Sequence, residues 1–291
     1  MQTDRPITRV LPVMVGVNGS DATPALIDFA AAEAATYQVP LVLVHVWPGR
    51  YVGAFQGRSA QPSPADAQRL LTLAAARVEL VAPEVTAHTQ LLDGSAAHLL
   101  ERASSHARLL VVGHRDRADA RSAWGSTTAY LAHHSACPLM IHRGSARDDG
   151  PVVVAASLRP AGETPLGFAF ERAARVGAPL IVVHMGATER AAAEHRLSLA
   201  LKGWTTRFPG VAVECLVVTD LDMPHTIERS LRRGRLMVAG TGSRGSFTEL
   251  LGSVRESRLG PPARCPIVLV PPERPQMGPK DPGKTGPATK V

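Results

Sequence analysis

Residues 108–143 read RLLVVGHRDRADARSAWGSTTAYLAHHSACPLMIHR, and this pattern predicts a strand, a loop, a helix and a second strand. The apolar run Leu109–Val112 ends at Gly113, where a glycine permits a sharp turn. Gly125-Ser126-Thr127 begins the helix, because a hydroxyl there can cap the first free amides. We expect the helix to end near Cys137-Pro138, since proline disfavours helical geometry in the residue before it, and the strand Leu139–Ile141 to follow. A loop between a strand end and a helix start presents N–H groups to an anion.

The same arrangement returns at residues 235–270, RLMVAGTGSRGSFTELLGSVRESRLGPPARCPIVLV. Gly113 corresponds to Gly240, and Gly125-Ser126 corresponds to Gly252-Ser253, each 127 positions further on. The Cys-Pro pair before the last strand also recurs, as Cys265-Pro266. The chain is therefore a tandem repeat, and its function has to be sought in two places.

The rest of each repeat alternates apolar strand patterns with helical ones. In the first repeat we predict strands at Val10–Val17, Leu41–Val46 and Thr86–Leu92, a helix from Ala22, a loop at Pro48–Pro64, and helices at Ala65–Val81 and from Ser95 to His106. In the second we predict strands at Val152–Ala156, Leu180–Met185 and Val211–Val218 and helices at Thr164–Val176, Glu189–Phe208 and Met223–Arg233. Five strands per repeat, with a helix after each of the first four, predict a parallel, doubly wound α/β sheet with helices on both faces.

The bulk composition excludes several classes of protein. The formal net charge is +7, but the basic residues are scattered and no aromatic residues are interleaved with them, so a solvated basic surface is favoured over nucleic-acid binding. The three cysteines are too few for a disulfide framework. No apolar stretch approaches a membrane span, and the amino terminus lacks a signal-peptide core. A cytoplasmic protein that contacts neither membrane nor nucleic acid is expected.

The motifs together resemble those of the universal stress protein family in its tandem bacterial form. They are VMVGVNGS with the alanine-rich helix after it, LVLVHV, and LLVVG…GS…CP, together with the second copy MVAGTGSRGSFTELLGS…CPIVLV. The resemblance covers residues 10–143 and 151–271. Together with the polar composition of the stretches outside it, the resemblance predicts a first domain at residues 8–143, a linker at 144–150, a second domain at 151–271 and a disordered tail at 272–291.

The family resemblance implies a five-stranded parallel sheet of order 3-2-1-4-5 in each repeat. The first and fourth strands are then neighbours at a switch point, where open α/β sheets hold ligands. It also implies that the last strand of one domain pairs with the equivalent strand of another, here as a homodimer or as a pseudo-dimer of the two repeats. The implied ligand is an adenine nucleotide, ATP, held by G-x2-G-x9-G-[S/T] after the fourth strand and by an aspartate after the first.

The first repeat departs from the nucleotide-binding pattern. Gly16 is kept, but Asn18 replaces the aspartate of the family. Gly113 and the helix start Gly125-Ser126-Thr127 are kept, whereas Asp116 stands in place of the second glycine and, with Asp119 close by, would oppose phosphate. The first repeat therefore keeps the glycines at its strand ends, but its phosphate loop is expected to bind phosphate more weakly.

The second repeat departs in the opposite way. Its phosphate loop keeps Gly240, Gly242, Arg244 and Gly245, closed by Gly252-Ser253. Its first-strand loop has neither glycine nor aspartate. Because glycines, a guanidinium and a helix start all favour an anion, we expect the second repeat to be the more competent nucleotide site.

Other chemistries have weaker patterns. The sequence GTGSRG at 240–245 matches a dinucleotide fingerprint, but no acidic residue follows at the required distance and lysine is missing for a Walker A loop. His133, His134, Cys137 and His142 form a cluster of zinc-ligand types, of which only the cysteine recurs, so no metal is expected. His45 recurs as His184, and a hydrogen-bonded core histidine is favoured over a ligand contact.

Three functions are thus carried forward. The first is a stress-response sensor that binds ATP at degenerate sites. The second is an interaction scaffold that has lost the nucleotide and acts through its surfaces. An enzyme is the third, supported only by the analogy of slow ATP hydrolysis, because the sequence contains no catalytic constellation; we therefore expect no enzymatic activity.

Overall fold

The computed structural model describes residues 10–47, 63–114, 126–144, 149–156, 163–185, 189–218, 223–241 and 265–272. In the first repeat the elements are β1 (Val13–Gly16), α1 (Thr23–Tyr37), β2 (Leu41–Trp47), α2 (Pro64–Val81), β3 (Ala87–Asp93), α3 (Ala96–Ser104), β4 (Leu109–Gly113), α4 (Ser126–His134) and β5 (Leu139–His142). In the second they are β6 (Val152–Ala156), α5 (Glu163–Val176), β7 (Leu180–Met185), α6 (Arg190–Arg207), β8 (Val213–Val218), α7 (Met223–Arg233), β9 (Leu236–Gly240) and β10 (Ile267–Val270).

The strand order of each repeat is the order that the family resemblance implies. The first repeat has β3-β2-β1-β4-β5 and the second has β8-β7-β6-β9-β10, with parallel pairing throughout each half. Val13 lies opposite Leu109 on β4, and Val152 lies opposite Leu236 on β9. The predicted adjacency of first and fourth strands is therefore confirmed in both repeats.

The two five-stranded sheets join into one ten-stranded sheet within the described part of the chain. Strands β5 and β10 pair antiparallel, with Ile141 opposite Ile267 and Leu139 opposite Leu269. Each strand would otherwise be the apolar edge of its own sheet, and pairing satisfies its free backbone groups. The expected association through the last strands thus occurs inside the chain. Association between chains stays a prediction.

Alternating side chains bury both faces of the sheet. One face packs against α1, α2, α5 and α6, through residues such as Leu26, Leu71, Phe170 and Leu197. The other face packs against α3 and α4, through Leu100 and Leu131. Helices therefore cover both faces, as a doubly wound sheet requires.

The predicted boundaries agree with the observed ones to within a few residues. One clear difference is α4, which ends at His134 instead of near Cys137, because Ser104 Oγ accepts the amide of Ala136 at 2.8 Å outside the helix. Most of the predicted loop at 48–64 and the predicted tail beyond 272 lie outside the described residues. No described helix combines the length and the apolar character that a membrane crossing demands.

Candidate functional site

Two glycine-ended strands meet at the switch point of the first repeat. Gly16 ends β1 and Gly113 ends β4, and the two strands are hydrogen-bonded neighbours. A side chain at Gly16 would lie 3.3 Å from Leu100 Cδ1, and one at Gly113 would lie 3.5 Å from Leu26 Cδ2. The strand ends are therefore closely covered by α3 and α1, and the carboxyl edge of the sheet leads directly into the loops that follow.

The loop after β1 is organised by the side chain of Asn18. Its Oδ1 accepts from the Ser20 amide at 3.1 Å, from Ser20 Oγ at 2.9 Å and from Thr23 Oγ1 at 3.1 Å. Gly19 takes a φ of 72°, a left-handed conformation that a glycine adopts without strain. The oxygen of Asn18 is thus used to build the turn into α1. Thr23, which the sequence pattern did not single out, completes this arrangement.

The amino terminus of α4 faces the same edge of the sheet. Ser126 and Thr127 begin the helix, as the sequence predicts, whereas Gly125 lies outside the described residues. Thr128 is buried in the first turn, at 5% exposure, and was missed because a threonine inside a helix carries no distinctive signal. The free amides of a helix start and its dipole favour a negative group at this position.

The second repeat reproduces the strand ends with different side chains. Ala156 ends β6 and Gly240 ends β9, and Val154 pairs with Val238 between them. A side chain at Gly240 would approach Pro165 Cγ of α5 to 3.0 Å, so a larger residue there would have to push α5 slightly away from the strand end. Thr241 donates its amide to the carbonyl of Val270 at 3.1 Å, which holds the first residue of the loop in line with β10.

The predicted phosphate loop begins at this point. Gly242, Arg244, Gly245, Gly252 and Ser253 lie outside the described residues, and so do Asp116 and Asp119 of the first repeat. The structure brings Gly16, Asn18, Gly113 and the start of α4 to one edge of the first repeat. In the second repeat it brings Gly240 to the equivalent edge.

The recurring histidines, His45 and His184, form hydrogen bonds to the backbone at the ends of neighbouring strands. His45 Nδ1 lies 2.7 Å from the carbonyl oxygen of Val17, and His184 Nδ1 lies 3.1 Å from that of Ala156. Nδ1 therefore carries the proton in both rings and donates it to a backbone carbonyl. Both side chains are half-buried. Their contacts therefore support hydrogen-bonded histidines that hold the strand ends, as the sequence analysis favours.

The histidines and the cysteine between positions 133 and 142 make other contacts. His134 stacks on Tyr130 with ring centroids 4.2 Å apart, and His142 packs on Phe29 at 4.8 Å. Burial raises the pKa of the Cys137 thiol to about 11 and that of Cys265 to about 12, so both are protonated at neutral pH. Protonated, buried thiols pack as small apolar side chains. Among the described residues, no three potential metal ligands come together.

Taken together, the described part of the site offers backbone donors and a helix dipole. The carboxyl ends of the central strands, the turn at residues 18–20 and the start of α4 lie on one edge of the sheet. The carboxyl edge at a switch point is where open α/β sheets bind ligands, and the donors suit an anion. The site is suited to holding a negatively charged ligand in place.

Comparisons of the sequence and of the structure with known proteins all find universal stress proteins. The model of the universal stress protein family matches residues 10–143. A universal stress protein of Mycolicibacterium smegmatis is 31% identical over 290 residues, which cover 89% of this chain and 97% of that protein. Among solved structures, a universal stress protein of Archaeoglobus fulgidus shares 17% identity with a TM-score of 0.65, over 89% of this chain and 96% of that one.

Proposed function

The chain belongs to the universal stress protein family, and from that premise we propose that it is a stress-response sensor that binds ATP without turning it over. The ligand would lie at the carboxyl ends of the central strands in each repeat, the units being residues 8–143 and 151–271. The observation that carries the proposal is the pairing of β1 with β4 and of β6 with β9. This pairing produces a switch-point crevice twice in one chain.

The two sites are proposed to be unequal, with the second repeat dominant. Arg244 and the glycines between Gly240 and Gly252 favour phosphate by charge and by close backbone approach. In the first repeat Asp116 and Asp119 would place like charge beside the phosphates. At about 4–6 Å and an effective dielectric near 20, each such pair costs roughly 3–4 kcal/mol, which offsets a few amide hydrogen bonds.

The geometry of Asn18 supports the same ranking. Its oxygen already accepts three hydrogen bonds from its own loop. An aspartate would keep a second oxygen for a ligand hydroxyl, whereas asparagine has only an N–H₂ donor left to offer. The adenosine end of the first site is therefore weakened as well.

Localisation is part of the proposal. We place the protein in the cytoplasm, where a thiol stays reduced. The free cysteines Cys137, Cys215 and Cys265 suit that compartment.

The test is equilibrium dialysis of the full chain against labelled ATP, with two matched variants. Wild type should bind ATP saturably. Gly252→Leu should abolish this binding, because a side chain there would block the approach of phosphate to the helix start that the sequence predicts at this position. Gly125→Leu, the same change at the equivalent position, should leave most of the binding intact. Loss of ATP binding in Gly125→Leu with retention in Gly252→Leu would reverse the ranking.

Asn18 Oδ1 accepts hydrogen bonds from Ser20 and Thr23, which leaves it less available to a ligand. This observation also favours a second candidate function, an interaction scaffold of the same fold that no longer binds nucleotide. In that case wild type and both variants would give the same unsaturable dialysis curve, and the function would depend on the protein surfaces.

A further inference from the structure

The two repeats meet around a pseudo-twofold axis, and equivalent positions contact each other across it. On the sheet, Met140 of β5 pairs with Val268 of β10, its counterpart 128 positions later. On the helices, Glu33 of α1 contacts Arg172 of α5, its counterpart 139 positions later. Thr36 and Arg175 are separated by the same 139 positions and are also in contact. We call this region, β5 with β10 and α1 with α5, the seam.

The equivalent helix positions at the seam carry opposite charges. Arg172 Nη2 lies 2.5 Å from Glu33 Oε1, and the residues are only 9% and 3% exposed. Glu33 sits on the apolar stripe of α1, between Ala30 and Ala34. A charge this deeply buried is tolerated only beside an opposite one.

A second contact at the seam is also asymmetric. Arg175 of the second repeat lies 5.1 Å from the ring centre of Tyr37, and Arg108 of the first repeat lies 4.6 Å from it. The counterpart of Tyr37 in the second repeat is Val176, which has no aromatic face to offer. The cation–π contact across the seam thus exists in one direction only.

These contacts distinguish unlike from like partners. Because equivalent positions meet, a pair of two first repeats would bring Glu33 against another Glu33. Two second repeats would bring Arg172 against another Arg172, with Arg175 on each side. Both arrangements bury like charges against each other, and such repulsion is a means by which an interface rejects a competing partner.

We propose that Glu33 and Arg172 are specificity determinants that direct each first repeat to pair with a second repeat and exclude pairing between identical repeats. Stability alone does not account for the pair. Within the described part of the chain, Glu33 Oε2 and Arg172 Nη1 have no hydrogen-bond partner. Burial raises the pKa of Glu33 despite the neighbouring guanidinium, so holding this carboxylate ionised has a cost. Buried ion pairs of this kind are best attested as devices that select partners.

The test removes the covalent link after folding. A protease site is inserted in the linker at residues 144–150, the full chain is purified folded, and the linker is cut. The halves are then held together only by the seam. They are diluted, given time to exchange, and their pairs are weighed by native mass spectrometry.

Wild type should show unlike pairs, favoured over like pairs by at least about a hundredfold. Glu33→Gln with Arg172→Gln should produce readily detected like pairs, because an amide can face an amide in every combination. Glu33→Arg with Arg172→Glu should restore exclusive unlike pairing, since the charges are exchanged but still opposite. If the variant with two glutamines folds poorly, the charge-exchanged variant still tests the proposal, because it keeps one positive and one negative residue at the seam.

A matched control lies within the first repeat. Asp28 and Arg77 form an ion pair between α1 and α2, away from the seam. Asp28→Asn with Arg77→Gln should leave the pairing pattern of wild type unchanged. The proposal is overturned if the neutral seam variant still pairs only unlike halves after exchange, if the charge-exchanged variant forms like pairs, or if the wild-type halves pair at random.

Discussion

Asn18 shows how one residue can keep the place of a family's ligand contact and acquire another role. The resemblance implies an aspartate near the adenosine end of the site. In this chain the side-chain oxygen instead joins Ser20 and Thr23 into the turn before α1. The start of α1 has no side-chain cap on its own N-cap residue, Ala22, so this turn anchors the helix. At this position the structural role is the one the hydrogen bonds support.

At the residue scale we therefore predict that Asn18→Ala lowers the free energy of unfolding by about 1–2 kcal/mol, because three hydrogen bonds to one acceptor are lost. Asn18→Asp keeps an oxygen acceptor and should remain close to wild type in stability. Urea denaturation at neutral pH measures both. An alanine variant as stable as wild type would show that the turn does not depend on this side chain.

The pairing of Asn18 with Thr23 lay beyond sequence reasoning for a physical reason. Serine, threonine and asparagine each form several local turns with similar energies, and the sequence does not say which acceptor is used. The partner of Glu33 was likewise not predictable from the local sequence. Its place on an apolar stripe was a usable signal, but its partner lies 139 positions away and is found only when the two repeats are superposed.

At the scale of the elements, the contact between α5 and α6 depends on a residue without a side chain. Gly167 of α5 faces Trp204 of α6, and an added Cβ would lie 2.8 Å from Trp204 Cη2. Trp204 is held in a stack with Phe170 and Phe208, at centroid distances of 5.9 Å and 6.4 Å. The ring therefore has little freedom to move aside.

We predict that Gly167→Ala lowers the free energy of unfolding by about 1–2 kcal/mol, because overpacking outweighs the gain in helix propensity. Gly203→Ala in α6 is the matched control, since nothing lies within 4 Å of its added Cβ. That variant should gain up to about 1 kcal/mol. Thermal unfolding of the two variants side by side measures the difference, and a stabilised Gly167→Ala would contradict this account of the helix contact.

Element type and order were predictable because the signals are strong. Apolar runs such as Leu109–Val112 and Leu180–Met185 stand between helical patterns, and every pattern occurs twice. Strand order came from the family resemblance, because periodicity alone does not fix it. The end of α4 was placed too late because Ser104, on another helix, competes for the amide of Ala136. Such a tertiary contact leaves no trace in the local sequence.

At the scale of the whole molecule, the seam turns two repeats into one ten-stranded sheet within the described residues. Each repeat alone would leave an apolar edge, β5 or β10, open to other chains. Their antiparallel pairing removes that edge and places the two switch points at separate positions along a common sheet. The two proposed nucleotide sites thus belong to one folded unit. Their occupancies by ATP can therefore be compared within a single protein sample.

The most direct test of the central claim, ATP at the switch point of the second repeat, is hydrogen–deuterium exchange of the full chain with and without ATP. Bound nucleotide should slow exchange at the end of β9, at Thr241 and in the loop up to Ser253. The turn at residues 18–20 and the start of α4 should change little. Protection confined to the first repeat, or no protection anywhere at saturating ATP, would contradict the account.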